Sequence, residues 1–198
     1  MHTPTHVIMG AAILGGRKAK AVWAAALGGL APDLPMILIF GALKVFGIPA
    51  PVIFGFLYWQ NWWQITNGIA HNFFLWSGLC LLAAWMRERL STSAEAMDRW
   101  ALVFLFSASA LLHSGVDFLV HREDAHMSLW PLTRWKFISP VSYYDPAHYG
   151  HVMMVLELAM NLVLVAVLMR RFGNPWLRGA LALLMLLYVA VPAYFIFH

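Results

Sequence analysis

The stretch WALVFLFSASALLHSGVDFLVH, residues 100–121, decides the fold class of this chain. Residues 100–120 are long enough to cross the apolar core of a bilayer, which takes about 20 apolar residues. The stretch nevertheless ends with three side chains that can bind metals, His113, Asp117 and His121. Their spacing of i, i+4 and i+8 places all three on one helical face, one turn apart. The sequence therefore predicts a membrane-spanning helix with a polar site at one end.

The composition of the whole chain agrees with this class. Its 198 residues are 62% hydrophobic and 11% charged, whereas about 25% of the residues in a soluble globular domain are charged. A water-soluble domain of this size could not cover so much apolar surface with polar groups. The single cysteine, Cys80, excludes an intrachain disulfide and a thiolate zinc site. We expect an all-α protein, a polytopic transmembrane helical bundle.

The apolar segments predict one integral-membrane domain over residues 1–198. Four of them are long enough to span a bilayer: residues 65–86, 100–120, 149–169 and 176–197. The N-terminal third holds three shorter apolar segments: residues 7–16, 21–31 and 34–47. Segments of that length are typical of short or re-entrant helices inside a bundle. The N-terminal residues lack a positively charged segment before a long apolar stretch, so we expect no cleaved signal peptide.

Basic residues predict the orientation. The connections 87–99 and 170–178 together hold six arginines, whereas the connection 121–148 balances three basic residues with three acidic ones. The positive-inside rule therefore places the first two connections in the cytoplasm and the third outside. No run of five basic residues is present, so the net charge of +4 does not indicate a nucleic-acid-binding module.

The His–Asp pairs point to a metal site. Imidazole nitrogens and carboxylate oxygens suit zinc, manganese or iron, and zinc is the first candidate. An ionisable side chain in an apolar span is costly and marks a functional site by default. The simpler interpretation of His113 and Asp117 is one hydrogen-bonded pair at the membrane edge. Further candidate ligands fall on the same predicted membrane face: His6, Asp33, His71, His126 and His148.

Each of these residues, taken alone, also has a structural explanation. Asp33 would cap the helix over residues 34–47, His71 would form a hydrogen bond between helices with Asn67, and His6 would belong to a frayed terminus. Their clustering on one face favours a shared metal site, because chance would scatter them between the two faces.

Several of these motifs together resemble a known family. His6 with Gly10, Pro32-Asp33, His71, and His113-x-x-x-Asp117 followed by Leu129-Trp130-Pro131-Leu132 are similar to the membrane-bound metal-dependent hydrolases, which include LexA-regulated inner-membrane members of bacteria. The resemblance runs from His6 to about His148 and implies an integral inner-membrane protein that uses a divalent metal. The His-x-x-x-Asp arrangement is more distantly similar to zinc-dependent phospholipase C and P1-type nucleases, which hydrolyse phosphodiesters with a cluster of metals.

The chain departs from that family's pattern in two places. Many members follow the early histidine with arginine and a second histidine, whereas here Asn72 follows His71. The segment Glu123-Asp124-Ala125-His126 replaces a short glycine-containing connection. The first departure puts a ligand in doubt, and the second offers a candidate ligand.

We therefore expect hydrolysis of a phosphoester or lipid-like substrate by a metal-activated water in the bilayer. The expected core ligands are His6, Asp33, His71, His113 and Asp117, with His126 and His148 at a further metal or around the first. Asp124 or His121 would be the general base, or would orient a ligating imidazole. The main alternative is a transporter or channel with a His/Asp proton relay, or a metal-binding protein without catalysis. A structural family member that binds no metal is a third possibility.

Overall fold

A computed structural model describes residues 1–89 and 92–197, and the side chains of residue 187 and residues 190–197 lie outside that description. The described residues form nine α-helices and no strand, which agrees with the predicted all-α class. The helices are α1 (Thr3–Ile13), α2 (Ala19–Leu30), α3 (Leu34–Val45), α4 (Ala50–Gly55), α5 (Asn61–Ala70), α6 (Phe73–Arg89), α7 (Ala94–Val120), α8 (Gly150–Arg171) and α9 (Pro175–Phe197). Short 3-10 helices cover Leu57–Trp59 and Pro146–His148.

Three of these elements are long and apolar enough to cross a membrane: Asn61–Arg89, Ala94–Val120 and Gly150–Arg171. The pair α2 and α3 would make a fourth span, bent by 64° at the break between the two helices. This bend agrees with the prediction of short or re-entrant helices in the N-terminal third. In α9, the described apolar part is the shorter Pro175–Leu186, so the predicted span over residues 176–197 lies partly outside the described side chains.

The span predicted over residues 65–86 begins earlier, at Asn61, and contains a break after α5. The connection after α7 produces this break by binding backbone and side-chain groups there. The amide of Phe73 donates to the backbone carbonyl oxygen of Ser128 at 3.0 Å. The side chain of Asn72 donates to the backbone carbonyl oxygen of Trp130. His71 therefore lies at a helix end inside the long element, where its side chain faces the bundle.

Glycines let α1, α2 and α7 approach one another closely. A Cβ atom on Gly28 would overlap the carbonyl oxygen of Phe106 in α7, and one on Gly29 would overlap that of His6 in α1. Small residues at helix crossings permit this backbone contact in membrane bundles. Both His6 and α7 are thereby drawn against the end of α2.

The helix ends near these glycines form one end of the bundle, the site end. Here α1 and α8 begin and α2, α5 and α7 terminate. The opposite end holds the α1–α2 turn and the end of α8, where the guanidinium of Arg171 donates to the carbonyl oxygens of Ala12 and Gly16 at 2.8 and 2.9 Å. Between the two ends, apolar side chains such as Ile8, Val165 and Leu181 pack α1 against α8 and α9.

Candidate metal centre

Asp117, in the last turn of α7, lies at the centre of the site and is only 1% exposed. Four histidines surround its carboxylate, two from α7 and its C-terminal end, one from α1 and one from the break after α5. Their Nε2 atoms lie 2.9 Å (His6), 3.0 Å (His113), 3.3 Å (His121) and 3.6 Å (His71) from its oxygens. A single buried carboxylate with so many imidazole neighbours is arranged as a shared ligand.

Asp33 brings a second carboxylate to the same place. Its Oδ1 lies 3.6 Å from Nε2 of His113 and 3.7 Å from Nε2 of His71, and Oδ2 accepts a hydrogen bond of 2.5 Å from Thr3. The ligand atoms of Asp33, His71, His113 and Asp117 all lie within 4.8 Å of one another. A tetrahedral ion with bonds of about 2.0–2.2 Å separates its ligands by roughly 3.3–3.6 Å. These four residues, the first group, offer two nitrogens and two oxygens at a spacing that fits such an ion.

Backbone carbonyl groups orient two of the rings. Nδ1 of His113 lies 2.7 Å from the carbonyl oxygen of Gly29, and Nδ1 of His71 lies 3.0 Å from that of Asn67. Because a carbonyl oxygen only accepts, each Nδ1 carries the hydrogen, and a neutral ring then turns the lone pair of Nε2 towards the carboxylates. Nε2 of His71 is buried without a hydrogen-bond partner among the described residues. Ring nitrogens that face carboxylate oxygens are stabilised by a proton or a metal ion between them, and metal-ligating histidines have this arrangement.

A second group shares Asp117 and adds His121 and His126 from the end of α7 and the loop after it. The His126 ring stacks on His71 with centroids 3.9 Å apart and lies 4.9 Å from His121. Burial lowers the pKa of His126 well below its ordinary value, and His71 and His121 act in the same direction. His126 is therefore neutral at pH 7, which is the form that binds a metal.

The pKa of His121 is shifted in the opposite direction to that of His126, because carboxylates flank the His121 ring. Its Nδ1 lies 3.0 Å from Oδ1 of Asp124, while Nε2 faces Asp117. Burial by itself would lower the pKa of His121, but Asp117 and Asp124 raise it to about 9. These carboxylates favour a positive charge at this ring, whether a proton or a bound cation carries it.

A cavity of about 180 Å³ opens beside the two groups. Asp33, His71, His121 and His126 face it together with Asp124, and Met36, Tyr58 and Tyr143 form much of its remaining wall. This volume holds several water molecules. Water and a small polar group therefore have access to the ligand atoms that the helices otherwise bury.

Most of the residues predicted from the sequence come together here: His6, Asp33, His71, His113, Asp117, His121, Asp124 and His126. His148 does not. Its Nδ1 lies 2.6 Å from Oδ2 of Asp145 and 3.7 Å from Oε1 of Glu123, in a separate and more exposed group. The reason is local, because Asp145 begins the short 3-10 helix that His148 ends, and the two side chains meet across it.

Glu157, which is 3% exposed in α8, is not among the residues predicted for the site. Its carboxylate accepts hydrogen bonds from the backbone amide of His2 at 3.0 Å and from the hydroxyl of Thr5 at 2.5 Å. Asn161, one turn later, donates to the same hydroxyl at 2.8 Å. Glu157 thus holds the residues that flank His6. The polar pair at i, i+4 in an apolar helix was the available signal.

The amino group of Met1 is also part of the site. It lies 2.6 Å from Oδ1 of Asp117 and 3.2 Å from Nε2 of His121. No pattern in the sequence indicated this contact, because it depends on how α1 docks against the end of α7.

Fold and site together define a class of protein. It is an all-helical chain with three helices, or four if the bent pair is one span, that are long and apolar enough to cross a membrane. It carries a buried His/Asp cluster that could hold a metal ion. No family model matches the chain, and no match is found among the curated proteins or the solved structures.

Proposed function

We propose that this protein is a metal-dependent hydrolase embedded in the bacterial inner membrane, with a phosphoester of lipid-like character as its substrate. The observation that carries the proposal is the buried group of Asp33, His71, His113 and Asp117, in which the Nε2 atoms of both histidines lie 3.0–3.7 Å from carboxylate oxygens. The resemblance of the His113-x-x-x-Asp117 motif to membrane-bound metal-dependent hydrolases points in the same direction.

The residues provide two ligand sets. Asp33, His71, His113 and Asp117 make up the first, and Asp117, His121 and His126 make up the second. Asp117 is common to both, so it would be a ligand in either set. His6 reaches Oδ1 of Asp117 from α1. Zinc suits this mixture of imidazole and carboxylate ligands.

A divalent ion held by these residues would supply a water with its pKa lowered to about 7 and would polarise a phosphoryl oxygen. The protein's own groups complete the chemistry. Asp124 faces the cavity and is the carboxylate best placed to accept a proton from a water there. Through its 3.0 Å contact with Nδ1 of His121, it also fixes the orientation of that ring.

The cavity wall favours an amphiphilic substrate. Met36, Tyr58 and Tyr143 offer apolar and aromatic surface beside the polar cluster. Near Tyr58 along the chain, Trp59 and Trp62 are about half exposed, as expected for aromatic side chains at the headgroup level of a membrane. No lysine or arginine is among the described residues that line the cavity. Bound metal would help to neutralise a phosphate group there, beside the amino group of Met1, which also lines the cavity.

Metal analysis of the purified protein tests the proposal. The wild type should contain zinc or another divalent metal, and His113→Ala and Asp117→Ala should lose it because each removes a ligand. His151→Ala is the matched control, since this histidine is exposed on α8. Hydrolysis of a phosphodiester by the wild type and the control, but not by the two ligand variants, should accompany the metal. Equal, near-zero metal in all four proteins would exclude the proposal, and flux across vesicles that depends on Asp117 without hydrolysis would favour a transporter.

A further inference from the structure

A second cavity lies at the opposite end of the bundle from the His/Asp cluster. It measures about 390 Å³ and is lined by Gly16, Arg17, Val167, Arg170 and Arg171. The lining residues come from the α1–α2 turn and from the last two turns of α8. Because α8 has 22 residues, about 33 Å of helix separates its two ends. This cavity is therefore a separate site from the candidate metal centre.

The arginines of this cavity differ in their contacts. Arg171 caps the end of α1 through its bonds to the carbonyl oxygens of Ala12 and Gly16. Arg17 and Arg170 are exposed and have no hydrogen bond or ion pair with any described residue. No acidic side chain lies among the described lining residues. Two free guanidinium groups thus face a cavity that has no negative charge to balance them.

An apolar strip on α8 leads to this cavity. Leu156, Val163, Val167 and Arg170 are spaced by seven, four and three residues, so they lie along one helical face. Leu156 is 56% exposed and Val163 63% exposed. In a bilayer this face would contact acyl chains, and Arg170 would lie where the headgroup phosphates begin.

We propose that this cavity binds an anionic phospholipid. The phosphate contacts the guanidinium groups of Arg17 and Arg170, and the acyl chains lie along the strip from Val167 to Leu156. The planar guanidinium group matches phosphate oxygens in a bidentate geometry, and basic pockets between spans on the cytoplasmic side bind anionic headgroups. The inference depends on the membrane location in the proposed function, and it does not depend on the metal.

Lipid selectivity after reconstitution tests this site. The wild type is placed in nanodiscs of phosphatidylcholine with a minor fraction of phosphatidylglycerol, and the retained lipids are measured by native mass spectrometry. The double variant Arg17→Gln/Arg170→Gln should lose about 30-fold in preference for phosphatidylglycerol, because each basic group near the surface contributes to binding. Lys18→Gln/Lys20→Gln is the matched control, since it removes the same charge from exposed positions at the same end.

High salt separates a built site from general attraction. At about 1 M salt the Debye length is about 3 Å, so only direct contacts persist. The control should then match the wild type within about twofold, while the double variant remains impaired. Equal losses in both variants would overturn the proposal, as would displacement of the lipid by inorganic phosphate or glycerol phosphate, which would indicate a site for soluble anions.

The metal content of the same samples keeps this test separate from the first. A double variant with normal metal and lost lipid preference supports the lipid site on a correctly folded protein. A wild type with no lipid preference but normal metal would refute the lipid site alone. A wild type that retains phosphatidylglycerol but lacks metal would refute the hydrolase and leave the lipid site intact.

Discussion

The two ends of the bundle are both polar, for opposite physical reasons. At the site end, charged and titratable groups are buried and neutralise one another across helices, as Asp117 does with His6 and His113. At the other end, Arg17 and Arg170 are exposed and surrounded by other basic groups. Burying ionisable groups is tolerated only with partners, so the site end depends on accurate helix packing and the arginine end does not. Mutations at the two ends should therefore differ in effect.

The largest effect is expected for Gly28→Ala, close to the site end. The new Cβ would overlap the carbonyl oxygen of Phe106, so α2 and α7 must separate, at a cost of about 1–3 kcal/mol in the free energy of unfolding. The shift should also weaken metal binding, because the neighbouring Gly29 carbonyl holds His113. Denaturation in detergent and metal titration measure the two effects.

Gly41→Ala is the control for that substitution, since a Cβ there would have no neighbour within 4 Å. It should change the free energy of unfolding by no more than about 1 kcal/mol, which is the ordinary difference in helix propensity between the two residues. Equal stability of the two variants would show that close packing of α2 against α7 does not support the site.

A smaller effect is expected for Glu157→Gln. This change keeps the shape of the side chain but weakens the hydrogen bonds from His2 and Thr5, at a cost of about 1 kcal/mol. Because those residues flank His6, metal affinity should fall about tenfold, as for other groups that position ligands. Isothermal titration with zinc measures this change, and Glu88→Gln, at an exposed position, should leave it unaltered. A normal affinity in Glu157→Gln would mean that α1 is held by its apolar contacts alone.

The smallest effect is expected at the arginine end. Arg171→Gln removes the guanidinium group that caps α1 and should cost about 1 kcal/mol. Arg170→Gln, next to it, removes the same charge but no hydrogen bond among described residues and should stay within about 0.5 kcal/mol of the wild type. Denaturation curves of the two variants separate the stabilisation from the capping hydrogen bonds from that of the positive charge. Equal destabilisation of both variants would indicate that only the charge contributes to stability at this end.

The sequence predicted those parts of the site that depend on local spacing and on span ends. His113 and Asp117 share a helical face because the spacing i, i+4 requires it. Asp33 lies at the break between two helices that Pro32 indicates in the sequence. The convergence of His6, Asp33 and His71 followed from the prediction that successive apolar segments run in alternating directions.

Features that depend on contacts between distant segments could not be predicted. The break at His71 arises from bonds with the connection after α7, which no local pattern records. His148 pairs with Asp145 because of a three-residue 3-10 helix, too short to recognise from periodicity. The role of Glu157 depends on which helix packs against α8.

Gly29 of α2 contacts both α1 and α7 at the site. Its carbonyl group binds His113 of α7, and its lack of a side chain admits the backbone of His6 of α1. The ligands thus acquire their geometry only when three helices have docked. The complete cluster therefore exists only in the associated bundle. A metal that binds this cluster would therefore stabilise the associated bundle relative to its separate helices.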